Sequence, residues 1–175
     1  MSQHTQVNLE NINVTNTIIS FLFVGLICSI NAVAIERYRV ELFDYGIYET
    51  VFMKYDNAPN TSEGKIERIS HKKLLRRTEQ IPGKKGTKFG IRYILGGAQQ
   101  GKDVEVLVKV MHSVTVDDQV ISKANEWLTT KRIGRVSFDG WKFNTDSELI
   151  HGDWTIQIYH EGTKLVEKSF HIFKT

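Results

Sequence analysis

Trp154-Thr155-Ile156-Gln157-Ile158-Tyr159-His160-Glu161-Gly162-Thr163-Lys164-Leu165-Val166-Glu167-Lys168-Ser169-Phe170-His171-Ile172 is the stretch that decides the fold. Trp154, Ile156 and Ile158 alternate with polar residues, and Val166, Phe170 and Ile172 share one parity on the return, the period-two signature of half-buried strands. The two apolar sets lie on one face when residue i pairs with residue 324 − i, which sets Trp154 opposite Phe170 and Ile158 opposite Val166. That register predicts a three-residue loop, Glu161-Gly162-Thr163, and sets His160 opposite Lys164. Closing the hairpin on two residues would slip the register by one and turn Phe170 outward. Lys168 then falls opposite Ile156, an imperfection that a bulge or a snorkelling side chain absorbs.

The same alternation runs outward from this hairpin. Val104, Val106, Val108 and Val110 share one face of a strand, and Phe89, Ile91, Tyr93 and Leu95 form another that closes at Gly96-Gly97. Tyr38, Val40 and Leu42 alternate with Arg39, Glu41 and Phe43, and Tyr45–Tyr55 continues in strand-forming residues. Asp56–Gly64 is a loop by composition, and Ile81-Pro82-Gly83 reads as a turn. Lys65–Glu79 reads as one or two strands, or as a strand with a helical turn at Lys72–Arg76. Ser113–Arg132 is polar and poorly patterned, with a helical turn at Ser122–Thr130. Arg135–Phe143 is a strand interrupted at Asp139-Gly140. The expectation is all-β: an immunoglobulin-like antiparallel sandwich of about 7–8 strands. A small barrel is the alternative.

The chain has 175 residues, a length that suits one domain. From Ile18 to Ile35 no residue is charged, and the run ends in Ala32-Val33-Ala34, a small-x-small pattern that signal peptidase accepts. Residues 1–34 are therefore expected to be an apolar signal helix, leaving residues 35–175 as a single domain that is periplasmic or secreted. No Lys or Arg precedes the apolar run, whereas a leader is normally basic there, so the competing reading is an uncleaved anchor. Membrane contact is expected only in that case. Cys28, the one cysteine, lies inside the run. Cleavage after Ala34 would leave a domain without disulfide or thiolate chemistry.

Thr78-x-x-Ile81-Pro82, Phe89-Gly90-x-Arg92-Tyr93 and Glu148-Leu149-x-x-Gly152-x-Trp154-Thr155-x-x-Ile158, followed by Lys164-Leu165-x-Glu167-Lys168-x-Phe170, resemble the bacterial DUF3859 family, a domain of unknown function found in exported proteins. The resemblance spans about Tyr45 to Ile172. It implies an exported β-sandwich and supplies no catalytic residues.

One local feature points toward a partner. Between Lys72 and Arg92 lie eight basic residues, Lys72, Lys73, Arg76, Arg77, Lys84, Lys85, Lys88 and Arg92, against the single acid Glu79. If a turn at Pro82 folds the halves together, they form one patch for an anionic partner such as lipopolysaccharide, anionic lipid or an acidic envelope protein. The plainer reading is solvated lysines, or edge-strand charges that block sheet-to-sheet association. Nucleic acid is not expected, because the interleaved Phe89 and Tyr93 fit the core pattern. His71, His112, His151, His160 and His171 lack metal-motif spacing. Asp117-Asp118 and the group Asp139, Asp146 and Glu148 lack the spacing of a calcium loop, so no metal or other cofactor is expected. Of Trp127, Trp141 and Trp154, the last reads as core and Trp127 as the exposed one. The leading expectation is a binding module of the cell envelope rather than an enzyme. The alternative is a small hydrolase or metal-dependent enzyme built on loops around His112–Asp118 and Glu148–His151.

Overall fold

Strand-forming residues are dense in this chain, and most of the described residues are taken up in strands. The computed structural model describes residues 38–97, 99–116 and 119–175. The leader, Cys28 and Asp117-Asp118 lie outside the described residues. Among the described residues nine strands form: β1 (Arg39–Asn57), β2 (Lys65–Arg76), β3 (Gln80–Gly83), β4 (Lys88–Gly96), β5 (Asp103–Val116), β6 (Gln119–Arg132), β7 (Val136–Lys142), β8 (Gly152–His160) and β9 (Thr163–Lys174). Among the described residues the only helix is a 3-10 turn at Asp146–Glu148, and no helix is long and apolar enough to cross a membrane.

The strands divide into a four-stranded sheet, β2-β1-β4-β7, and a five-stranded sheet, β3-β9-β8-β5-β6. Their inner faces share one apolar core. Phe89 of β4 is its hub, with ring centroids 5.2 Å from Phe170, 5.5 Å from Phe143 and 6.0 Å from Trp154. These edge-on and tilted contacts suit the charge distribution of aromatic rings and join the two sheets. The fold is all-β and two-layered, not a closed barrel.

The register 324 − i holds from Gly152↔Ile172 to Ile158↔Val166. It then slips to Tyr159↔Lys164 and His160↔Thr163. The hairpin closes on two residues instead of the expected three, with Glu161 at φ 46 and Gly162 at φ 77, the left-handed pair that a tight turn matching strand twist requires. A bulge at Leu165 reconciles this turn with the apolar register. His160 therefore faces Thr163, not Lys164. Lys168 does sit opposite Ile156, and it snorkels: its ammonium lies 3.9 Å from the Tyr45 ring centroid and meets Glu79.

Four other expectations are corrected. Ile81-Pro82-Gly83 is not a turn but part of β3, an edge strand paired in parallel with β9, a place where a residue without an N–H costs the ladder nothing. The sandwich is thus not wholly antiparallel. Ser113–Arg132 is not irregular: β5 and β6 form a continuous hairpin from Asp103↔Arg132 to Val116↔Gln119. β7 runs unbroken through Asp139-Gly140. Gly140 is there because the chains nearly touch, since a Cβ on it would lie 2.2 Å from the Phe89 carbonyl oxygen.

β1 belongs to two partners. Its first half pairs with β4, from Arg39↔Gly96 to Ile47↔Phe89, and its second half with β2, from Ile47↔Arg76 to Asn57↔Lys65. Two register shifts between Thr50 and Lys54 twist this distal hairpin. Its tip docks on the other sheet: the Asn60 carbonyl accepts the Glu126 N–H (3.0 Å), and the Ser62 N–H donates to Asn125 Oδ1 (2.7 Å).

Gly140→Ala is expected to cost about 1–3 kcal/mol, the range for overpacking. Chemical denaturation measures it, with Gly140→Ser falling at least as far.

Candidate functional site

The tip of the β1–β2 hairpin crosses to β6, so the side of the sandwich between β6 and β7 is bridged rather than filled. Two cavities remain there, and Trp141 of β7 lines both.

The first cavity has a volume of about 240 Å³ and lies among β2, β6 and β7. Its walls are charged. Glu67 and Lys88, each less than a tenth exposed, pair at 3.0 Å, and Lys142 meets the other Glu67 oxygen at 2.9 Å. Burial pushes the Glu67 carboxyl up, but the hydrogen bonds from Lys142 and Lys88 outweigh it and hold the group below its ordinary range. Asp139 accepts the Tyr93 hydroxyl (2.7 Å) and pairs with Lys131 (2.8 Å), which joins β7 to β6 across the open side. Lys72 is the exception. It is half-buried, has no ion-pair partner within 4.0 Å among the described residues, and its pKa is lowered by burial and by the charges of Lys131 and Arg92, against Asp139.

The second cavity, about 430 Å³, is a cleft bounded by the hairpin tip, β5, β6 and the Asp146–Glu148 turn. His112 stacks on Trp154, centroids 4.3 Å apart at 18°, and the indole N–H of Trp154 donates to the Ile150 carbonyl at 2.8 Å. Burial, with Lys123 beside it, depresses the His112 pKa. Glu148 is buried; it accepts the Asn144 N–H (2.7 Å), the Thr145 N–H (3.2 Å) and the Ser62 hydroxyl (3.2 Å). His112 and Glu148, both named for the hydrolase alternative, share this cleft but form no ion pair.

Those of the eight basic residues that sit on strands lie on β2 and β4 of one sheet, and two of the eight are neutralised. Lys88 is spent on Glu67, and Arg92 on Asp44, which also accepts the Tyr48 hydroxyl at 2.5 Å. Arg77 lies over the Tyr45 ring. Lys73, Arg76, Lys84 and Lys85 are exposed, and Lys72 turns to the first cavity. Trp127 is a second correction: it is 8% exposed and packs 6.3 Å from Trp141. Asp139, Asp146 and Glu148 are not brought together, and no group of three metal-ligating side chains occurs among the described residues. His112 was legible as a core-face residue, since it continues the parity of Val104–Val110. His171 was also legible against Asp153 from the hairpin register, and the pair is 2.8 Å apart. Asn125 and Lys131 were not, because β6 was not read as a strand.

Comparison with known proteins gives a family and a likeness of fold. The model of DUF3859, a domain of unknown function, matches residues 36–172. No curated protein matches. Among solved structures, an immunoglobulin-like protein from Pseudomonas aeruginosa is 23% identical, covering 78% of this chain and 97% of its own, with a TM-score of 0.48.

Glu67→Gln removes the anion between two lysines and is expected to destabilise the fold by about 3–5 kcal/mol. Glu67→Gln with Lys88→Met should recover most of that loss in urea denaturation. Because the folded pKa of Glu67 lies below its ordinary 4.5, its contribution is present above that pH and is lost as pH falls through the folded value. The acid limb of a stability–pH curve should flatten in the double variant.

Proposed function

The chain belongs to the DUF3859 family, and we propose that it is an exported, immunoglobulin-like module of the bacterial cell envelope that works by binding and carries no turnover chemistry. Its partner presents an anionic group to the cavity beneath the β1–β2 hairpin. The observation that carries this is Lys72: a half-buried ammonium in one wall with Lys131, Trp127 and Trp141, where Asp139 is already paired with Lys131 and no carboxylate lies in ion-pair range of Lys72 among the described residues. An ammonium in that position is poorly solvated and repelled by its neighbours, and an incoming carboxylate or phosphate relieves both costs. The anionic partner expected for the whole stretch Lys72–Arg92 narrows to this one residue with help from Lys131. Lys88 holds the wall through Glu67, and Arg92 is spent on Asp44.

Export is carried by the leader pattern ending at Ala34 and by a domain that needs no cysteine. A two-sheet sandwich with a core of Phe89, Trp154 and Phe170 stands without staples at this length.

Inorganic phosphate is the probe. It should raise the thermal midpoint of the full chain, with a gain of about 2.7 kcal/mol once phosphate exceeds Kd a hundredfold. Chloride at equal ionic strength should not. Lys72→Gln should abolish the phosphate effect and be at least as stable as the parent without it. Lys84→Gln with Lys85→Gln should leave the effect intact. Equal responses from parent and Lys72→Gln would sink the reading.

A further inference from the structure

The cleft on the other side of Trp141 differs from the lysine-lined cavity in kind. Among the described residues, the buried side-chain atoms with no hydrogen-bond partner are His112 Nδ1, His112 Nε2 and Trp141 Nε1. Both residues are 7% exposed, and both line this cleft. Buried polar groups are almost always paired, and each orphan lowers stability. Each of the three atoms exposes less than 1 Å², and Trp141 also lines the lysine-walled cavity, so an occupant of this cleft reaches them when the imidazole and the indole turn outward, and it then makes the hydrogen bonds that the protein's own groups leave unmade.

The chemistry of those atoms limits what that is. A neutral imidazole carries one N–H donor and one bare acceptor nitrogen, and the indole adds a second donor. Completing the set takes two acceptors and one donor. A carboxylate supplies acceptors only, so the bare ring nitrogen would stay unpaired, and hydrogen phosphate keeps a P–OH donor but brings a net charge that the cleft does not offset. The charged residues lining the cleft are Lys123 and Glu148, one of each sign, so it has no bias toward an ion. A hydroxyl group donates and accepts through one oxygen, and a ligand with several hydroxyls meets all three needs. Ile150, Ala124 and the two indoles supply apolar wall, and the negative face of an indole attracts the C–H groups of a saturated ring. The volume, 430 Å³, falls in the range of small-molecule sites, roughly 300–1,000 Å³.

We propose that this cleft binds an uncharged, polyhydroxylated ring, a sugar of one or two residues, through the imidazole of His112 and the indole N–H of Trp141. Trp154 is a positioning residue: its ring holds the imidazole flat, and its own N–H is fixed on the Ile150 carbonyl. The site shares Trp141 with the anion cavity but not Lys72.

The test uses the full chain labelled with ¹⁵N, with glucose and N-acetylglucosamine as probes and acetate and inorganic phosphate as charged controls. The indole N–H signal that disappears in Trp141→Phe identifies Trp141. It should move on adding a sugar, and should still do so in Lys72→Gln. His112→Phe keeps a ring on Trp154 and removes both orphan nitrogens, so it should weaken sugar binding by about tenfold or more while the melting temperature holds or rises. Three results would each overturn the proposal. They are sugar binding unchanged in His112→Phe, a Trp141 signal in Lys72→Gln that moves with the anions and not with the sugars, and a signal that moves with no probe, which leaves water as the occupant.

Discussion

Glu67, buried between Lys88 and Lys142, is the contact on which the shape of the functional side depends. A strand of nineteen residues outruns its neighbour: β1 passes the end of β4 halfway along, where Ile47 pairs with both Phe89 and Arg76, and beyond that point it runs with β2 alone. The departing hairpin has little apolar surface turned inward. Val51, Phe52 and Met53 are exposed, so packing alone does not hold it. Ionic contacts do, at Glu67, and main-chain hydrogen bonds do, at Asn60 and Ser62. Contacts of that kind are directional and fix a distance without filling volume. The hairpin is therefore held at a standoff from β6 and β7, and the two cavities are what that standoff leaves.

The polarity of the walls follows from the same arrangement. In a closed sandwich the inward faces of β6 and β7 would be aliphatic. Here the inward positions of β6 are Asn125, Trp127, Thr129 and Lys131, and those of β7 include Asp139 and Trp141. Lys131 and Asp139 pair across the opening, and Tyr93 reaches out of the core to the same carboxylate. The β6–β7 side is closed electrostatically at one level and left open above and below it.

This inversion explains what could and could not be seen in the sequence. The β8–β9 hairpin and the valine face of β5 were legible because their inward residues meet the closed core, where alternation is clean. β6 was opaque because its inward residues are mostly polar, while Val120 and Leu128 point outward. A rule that equates apolar with inside reads such a strand as irregular. β3 was missed for a related reason: proline marks a turn in most contexts, and only the edge position beside β9 makes it a strand residue. The basic stretch misled differently. The acids that neutralise Lys88 and Arg92 come from β2 and β1, far from them along the chain. The elements hardest to read surround the cavities, as expected where local pattern and packed core serve different ends.

Trp141 stands where the two ends meet. Elsewhere among the described residues the buried polar side-chain atoms are paired. Lys88 has Glu67, Tyr93 has Asp139, Glu148 has three donors, and the indole N–H of Trp154 has a carbonyl. A chain that pairs a buried lysine across two strands is under no difficulty in pairing an imidazole. His112 could be a valine by the pattern of its own strand, and a valine would leave nothing unsatisfied. An imidazole in its place, stacked flat on one indole and accompanied by a second indole with a bare N–H, stabilises nothing that aliphatic packing would not stabilise better. Its retention at the wall of a cleft makes sense in terms of a ligand that supplies the missing hydrogen bonds.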